Sequence, residues 1–192
     1  MKNLWIAVAL LCQAAMVHAG EWHVDEKVKE NQVKFTSEVA GFSFEGVTSK
    51  VDGYIYWEGT ELFEKKNQLL FQVDLNSLDT GIGKRDRDMR NVLGADKWPK
   101  AILKGKIVEH EPIDSVANAY RVRVEGKISL HGVEREIEVP GSIIVEEGRS
   151  IISAEFGLKL ADFDIEAPSL AAFIKVSQDI RIAVSFYMKH VQ

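Results

Sequence analysis

The chain has 192 residues, 28% of them charged and 46% hydrophobic, with a formal net charge of −5. At this length it can bury one hydrophobic core as a single domain. The acidic balance argues against nucleic acid as a partner and against general adhesion to anionic membranes.

The first segment of the chain has the pattern of a secretory signal peptide. Lys2 supplies the positive start, Leu4 to Leu11 the apolar run, and Val17-His18-Ala19 a cleavage pattern. The apolar run is too short to cross a membrane. Cys12 follows Leu11, whereas a lipoprotein signal has a small residue before its cysteine. We therefore do not expect lipidation of Cys12. We therefore expect residues 1–19 to be a signal peptide, cleaved after Ala19, and residues 20–192 to be the mature domain, without cysteine and so without disulfides.

Most of the mature chain alternates apolar and polar residues with a period of two, which predicts β-strands with one buried face. The clearest example runs from Tyr120 to Leu130, where Val122 and Val124 share a face with Ile128. Strands are predicted at residues 32–39, 51–57, 69–75, 100–106, 120–130, 133–139, about 150–160 and about 173–188.

About eight long antiparallel strands with one apolar face each hide their edges best by closing into a barrel. His131-Gly132 predicts a two-residue hairpin turn, and Pro140-Gly141 predicts a bend or bulge in the following strand. An eight-stranded barrel either fills its interior with side chains or holds one small ligand. Alternation alone leaves both interpretations open.

One short helix is predicted within this β chain, from about Lys84 to Leu93. Met89, Val92 and Leu93 have the spacing of one helix face, and Gly94 stands where a helix-ending glycine belongs. Asp86 and Arg90 stand four residues apart, so they can pair along the helix.

The basic residues Lys84, Arg85 and Arg87 crowd the start of this helix, where the helix dipole disfavours positive charge. Two interpretations stay open. The residues form either an anion-binding site or a solvated face held by ion pairs within the helix.

The sequence makes no positive case for an enzyme. The four histidines after residue 19 lack metal-ligand spacing, and no G-x-S-x-G motif occurs. Gly81-x-Gly83-Lys84 lacks the spacing of a phosphate-binding loop, and Asp162-x-Asp164-x-Glu166 lacks a calcium loop. We assign no catalytic residue, no cofactor and no metal.

Several motifs occur together in the order found in the YceI-like family, which the chain resembles over essentially its whole mature length. They are Ser77-Leu78-Asp79-Thr80, Arg85 to Arg90, Trp98-Pro99-Lys100-Ala101, Leu130-His131-Gly132-Val133 and Leu160 to Ile165. The resemblance implies an eight-stranded antiparallel, lipocalin-like barrel in the bacterial periplasm that binds a polyisoprenoid or other long-chain amphiphile in its lumen. One departure is Asp88, where many relatives carry histidine.

The expected fold is therefore an all-β, eight-stranded antiparallel lipocalin-like barrel with one short helix inserted between strands. The expected function is that of a periplasmic carrier for a polyisoprenoid or fatty-acyl lipid, and the expected partner is that hydrophobic ligand. The alternative is a barrel with a packed interior that acts through its surface, as a partner-binding or stress-related protein. Neither nucleic acid nor stable membrane insertion is expected, and a homodimer stays open. The candidate ligand-binding residues are Phe35, Phe44, Ile55, Trp57, Phe71, Val122 and Val124 for the chain, and Arg85 and Arg90 for an anionic head.

Overall fold

A computed structural model of the chain describes residues 19–39, 41–171 and 174–191. The predicted signal peptide lies outside this range except for Ala19. The one α-helix of the described chain, α1, spans Gly83–Val92, and 3-10 helices span Leu75–Ser77 and Leu160–Phe163. The strands are β1 (Ala19–Val24), β2 (Gln32–Val39), β3 (Phe42–Thr48), β4 (Val51–Glu58), β5 (Asn67–Asp74), β6 (Lys100–Pro112), β7 (Ala119–Leu130), β8 (Val133–Glu146), β9 (Arg149–Lys159), β10 (Ser169–Ala171), β11 (Ile174–Lys175) and β12 (Asp179–Val191).

Eight strands close into an antiparallel barrel, which confirms the predicted architecture. Their order is β1, β4, β5, β6, β7, β8, β9 and β12, and pairing of β12 with β1 completes the circle. Strands β2 and β3 form a hairpin that pairs with residues 181–185 of β12, whereas β1 pairs with residues 188–191. The hairpin therefore belongs to one end of the barrel, and β1 belongs to the other.

The alternation of β7 points one set of side chains into the barrel, as predicted. Val122, Val124 and Ile128 are buried, while Arg121 is exposed. Gly126 lies in the same inward series and pairs directly with Gly105 of β6. A Cβ atom on Gly126 would overlap the carbonyl oxygen of Lys104, so this close approach of β6 and β7 requires glycine.

Three aromatic rings pack together at the β1 end, and we call Trp22, Trp57 and Phe63 the aromatic plug. Their ring centroids lie 5.1 to 5.3 Å apart in edge-to-face arrangements. All three side chains are buried. Such pairs contribute about 0.5–1.5 kcal/mol each beyond the burial of their area, so this end of the barrel is tightly packed.

Helix α1 lies at the opposite end and ends as the sequence predicted. Gly94 has φ +58°, and its N–H donates to the carbonyl of Asn91 while the N–H of Ala95 donates to the carbonyl of Arg90. This pair of hydrogen bonds is the Schellman motif. The helix therefore stops cleanly where the chain turns back towards β6.

Turn and strand predictions around β8 had mixed outcomes. His131 and Gly132 both have positive φ, at 54° and 78°, which confirms the predicted hairpin turn. Of the bend or bulge predicted at Pro140-Gly141, the bulge is wrong, because β7 and β8 pair in an unbroken register there. Instead, the pairing of β8 with β9 starts at Gly141, immediately after the proline that cannot donate a backbone hydrogen bond.

The single strand predicted at about 173–188 is also wrong at its start. The described chain has the short β11 and then β12 from Asp179, and Phe173 lies outside the described residues. Between them the N–H of Ser177 donates to the carbonyl of Glu38 at 2.7 Å, and the Ser177 hydroxyl accepts from the N–H of Asp179. These bonds turn the chain out of the strand ladder.

Candidate functional site

The barrel lumen contains a cavity of about 630 Å³. Its walls are the inward faces of β4 to β9 and β12 together with the hairpin of β2 and β3, and its lining is almost entirely aliphatic and aromatic. The lining includes Ile55, Leu69, Phe71, Val124 and Phe186. The interior is therefore only partly filled by side chains, unlike the packed interior that the alternative hypothesis assumed.

The cavity is bounded at one end by packed side chains and reaches the surface at the other. The members of the aromatic plug are absent from its lining, whereas the lining includes Ile82, Lys84, Met89 and Val92 from α1 and the turn before it. The apolar face predicted for the helix thus lines the lumen. We call the end at α1 the mouth.

Backbone hydrogen bonds fix the rim of the mouth. Val39 at the end of β2 bridges Val176, and Val47 of β3 bridges Asp79 in the turn before α1. Two large apolar side chains stand out at this rim, Phe42 with 76% of its surface exposed and Ile82 with 53%. Phe42 lies two residues before Phe44 on the same face of β3, so the apolar lumen face continues past the mouth.

Charged groups occur on the cavity lining only at the mouth. Lys84, Arg85 and Asp88 line it from the first turns of α1. The guanidinium carbon of Arg85 lies 4.9 Å from the centre of the Phe44 ring. Arg85 also donates from Nε to Thr80 Oγ1 at 2.9 Å and from a terminal nitrogen to the Thr80 carbonyl at 2.6 Å. Two bonds use only part of the five N–H donors of a guanidinium.

Asp86 positions this arginine through Thr80, and the Asp86–Arg90 ion pair that the spacing allows is not among the salt bridges of the described chain. The Asp86 carboxylate accepts a hydrogen bond from the Thr80 N–H at 2.9 Å and another from the Thr80 hydroxyl. These bonds, the hydroxyl's first, hold the pKa of Asp86 below its ordinary value, with smaller help from Arg90 and Arg85. The Asp86 carboxylate therefore binds Thr80 in the turn before α1 instead of Arg90 within the helix.

The lumen wall also carries a polar group within its apolar surface. Ser37 of β2 is 2% exposed, lines the cavity between Phe35 and Val39, and its Oγ has no hydrogen-bond partner among the described residues. Its cross-strand neighbour is Phe44, the residue under Arg85.

The structure brings together most of the residues predicted to contact a ligand. Trp57 belongs to the aromatic plug and Arg90 is placed away from the lumen, so neither lines the cavity. The predicted residues that line it are Phe35, Phe44, Ile55, Phe71, Val122, Val124 and Arg85.

Sequence reasoning missed the polar lining residues Ser37, Ser153 and Ser169, and it did not identify Lys84 and Asp88 as lumen residues. The sequence identifies Lys84 only as one of the basic residues at the helix start and does not show that it lines the lumen. Ser37 had a visible signal, because it is the polar exception in the inward series Val33, Phe35, Ser37 and Val39.

Within residues 19–39, 41–171 and 174–191, no group of three or more His, Cys, Asp or Glu side chains is arranged to hold a metal ion. Among the helices of that part of the chain, none is long and apolar enough to cross a membrane.

A closed antiparallel barrel with an apolar cavity and a helix at its mouth places the protein in the class of lipocalin-like barrels. The chain belongs to the YceI-like domain family, whose sequence model matches residues 22–188. No curated protein sequence shows significant similarity to it.

Solved structures share the fold at low sequence identity. BcnA from Burkholderia cenocepacia is 16% identical with a TM-score of 0.69, over 85% of this chain and 98% of that one. A polyisoprenoid-binding domain of Saccharophagus degradans, implicated in plant cell wall breakdown, is also 16% identical, with a TM-score of 0.67 over 88% and 98%. A mutant YceI protein of Campylobacter jejuni is 16% identical, with a TM-score of 0.56 over 77% and 84%.

Proposed function

We propose that the protein binds a long-chain amphiphile, a polyisoprenoid or fatty-acyl lipid, with its apolar chain in the barrel lumen. The observation that carries this proposal is the apolar cavity of about 630 Å³ beneath a mouth with charged groups. That volume lies within the range of about 300–1,000 Å³ usual for small-molecule sites. Since the lining is almost wholly apolar, it suits a hydrocarbon chain much better than a polar metabolite.

The charges at the mouth suit an anionic head on this ligand. Lys84 and Arg85 offer cationic donors beside the lumen, and the start of α1 has no side-chain cap on its N–H groups. A planar guanidinium binds phosphate or carboxylate through two parallel hydrogen bonds. Asp88 lines the same rim and offsets part of this charge. Arg90 has no such role, because it does not line the cavity.

The family points to the same class of ligand. A similarly folded domain from Saccharophagus degradans is described as polyisoprenoid-binding, which supports an isoprenoid or a chain of comparable length here. The signal peptide pattern at residues 1–19 supports export, so we place the mature protein, residues 20–192, in the periplasm as a carrier rather than an enzyme.

Two measurements test this function. The protein, purified from the exported fraction, is extracted with organic solvent, and the extract is analysed by mass spectrometry for a stoichiometric amphiphile. The extracted protein is then titrated with 1,6-diphenylhexatriene, a fluorescent hydrocarbon without polar groups. An empty extract together with no binding of this probe would contradict a lipid-binding lumen and would favour action through the surface.

A further inference from the structure

Ser37 is the exception among the buried polar side chains of the described chain. The other buried polar side chains all have hydrogen-bond partners. Asn31 accepts from the N–H of Tyr187 at 2.9 Å and donates to the carbonyl of Asp25 at 2.8 Å, and the Thr48 and Ser77 hydroxyls are 2.6 Å apart. Asp86 is bound by Thr80, and the Ser150 hydroxyl lies 2.9 Å from Nε2 of His190.

The only other buried polar side-chain atom without a partner in the described chain is Oε1 of Gln178. That residue is half-buried and does not line the cavity. Ser37 therefore combines burial, a place on the lumen wall and an unpartnered hydroxyl in one position. Because removing a hydroxyl from water without a compensating hydrogen bond is unfavourable, an unpartnered one in a binding cavity indicates a role with a ligand.

The position of Ser37 identifies the part of the ligand that would reach it. Phe44 pairs with Ser37 across β2 and β3, and the guanidinium of Arg85 lies 4.9 Å from the ring of the same Phe44. Two residues further along β2, Val39 forms the rim with Val176. The hydroxyl is therefore just inside the mouth, beside the place proposed for the head and above the hydrocarbon part of the lumen.

The geometry points to Ser37 as a specificity-determining residue that donates a hydrogen bond to an oxygen of the ligand's head, at the place where the head meets the hydrocarbon chain. This inference rests on the proposed function and adds a second recognition element to it. Arg85 recognises the negative charge of a carboxylate or phosphate. Ser37 recognises oxygen whether or not it is charged, so it favours acids, esters and alcohols over a plain hydrocarbon of equal length.

Three competitors of equal chain length distinguish the contribution of Ser37 to binding from that of Arg85. Palmitic acid, hexadecanol and hexadecane are delivered from phosphatidylcholine vesicles and displace bound 1,6-diphenylhexatriene from the extracted mature protein. Ser37→Ala should weaken binding of the acid and of the alcohol by about 3- to 10-fold, the effect of one hydrogen bond. Its affinity for hexadecane and for the probe should stay unchanged. Ser37→Thr, which keeps the hydroxyl, should restore most of the affinity for both oxygen-bearing competitors.

A stability measurement distinguishes a ligand contact from a structural one. Without ligand, Ser37→Ala should unfold at the same temperature as the wild type or higher, because no bond within the protein is lost. The matched control is Ser150→Ala, which removes a buried serine with a partner at the sealed end. It should lower the thermal midpoint and leave the ranking of the three competitors unchanged.

Two results would overturn the role of Ser37. One is an equal change in affinity for all three competitors, and the other is a lower thermal midpoint with unchanged affinities. Failure of the wild type to bind the hydrocarbon probe would instead contradict the proposed function, so the two failures are distinguishable.

Discussion

The rings of Trp22 and His190 lie stacked at the sealed end of the barrel, with centroids 4.6 Å apart and planes 11° from parallel. Burial lowers the pKa of His190 from its ordinary value of about 6.5. Below that pH the unfolded chain takes up a proton that the folded chain resists, so the free energy of unfolding falls as the pH falls.

We therefore predict that His190 contributes to a loss of stability as the pH falls below about 6.5. Chemical unfolding at several pH values measures it. His190→Phe keeps an aromatic ring against Trp22 and removes the titrating group, so its curve should be flatter over this window. An unchanged slope in this variant would assign the pH dependence to other groups.

Asp86 predicts a second loss of stability at lower pH. Its folded pKa is lowered, first by the Thr80 hydroxyl and then by the Thr80 N–H, so its contribution is present above about pH 4 and is lost as the pH falls further. Asp86→Asn should lower the thermal midpoint at pH 7 and remove part of the acid sensitivity. If the variant matches the wild type at both pH 7 and pH 3, the bonds to Thr80 do not stabilise the turn.

Filling the lumen should block the ligand without unfolding the barrel. Val124 lines the cavity, so we expect Val124→Trp to weaken binding of 1,6-diphenylhexatriene. Overpacking a filled core lowers the free energy of unfolding by about 1–3 kcal/mol, and we expect a smaller loss here. Val116→Trp is the control, because Val116 is 46% exposed and does not line the cavity. Unchanged binding with a large loss of stability would mean that the interior has no room for a ligand.

Arg85 and Arg90 form a matched pair for testing the head group. Arg85→Gln should weaken binding of palmitic acid about tenfold or more and leave binding of hexadecanol unchanged, since a charge-assisted hydrogen bond contributes about 1.5–3 kcal/mol. Arg90→Gln removes the same charge outside the cavity and should change neither. The assignment fails if both variants weaken the acid equally, because the effect would then be one of net charge.

Asp88 gives a prediction of opposite sign. It lines the mouth beside Lys84 and Arg85 and repels an anionic head. Asp88→Asn should raise the affinity for palmitic acid about two- to fivefold, in line with exposed charge pairs, and this gain should shrink as salt is added. Asp114→Asn, in an exposed loop, is the control. A gain of equal size in the control would point to long-range attraction alone.

Processing of the chain is tested by the intact mass of the exported protein. We expect a mature chain that begins at Gly20, since Val17-His18-Ala19 has the pattern of a cleavage site. A mass that retains residues 1–19, or that includes acyl chains on Cys12, would show this assignment to be wrong.

Alternation made the walls of the barrel predictable, and it left the position along the barrel axis open. Ile55 and Trp57 share one face of β4, so both were correctly expected to point inward. Only the register with β1 brings Trp57 beside Trp22 and Phe63, where it joins the plug instead of the cavity. The alternation of residues along a strand identifies which face a side chain occupies. Its position along the barrel axis depends on pairings between strands that are distant in sequence.

Helix α1 illustrates the same limit for charged residues. Its length and its ending follow from local rules, and both were predicted to within one residue. Spacing alone favoured an Asp86–Arg90 pair, but Thr80 lies outside the helix and competes for the carboxylate. The direction in which Arg85 points depends on that turn and on Phe44 of β3, which is 41 residues away in sequence.

The aromatic plug gives the lumen a fixed depth. On β7 the cavity runs from Val122 to Leu130, eight residue steps of about 3.4 Å, or about 27 Å along the strand. With a strand tilt of about 35–45°, this corresponds to about 20 Å along the barrel axis. A chain whose head stays at the mouth can extend only until it reaches Trp22 and Trp57. Affinity should therefore rise with each added carbon up to that length and then level off, because the aromatic plug limits the length of chain that the lumen can hold.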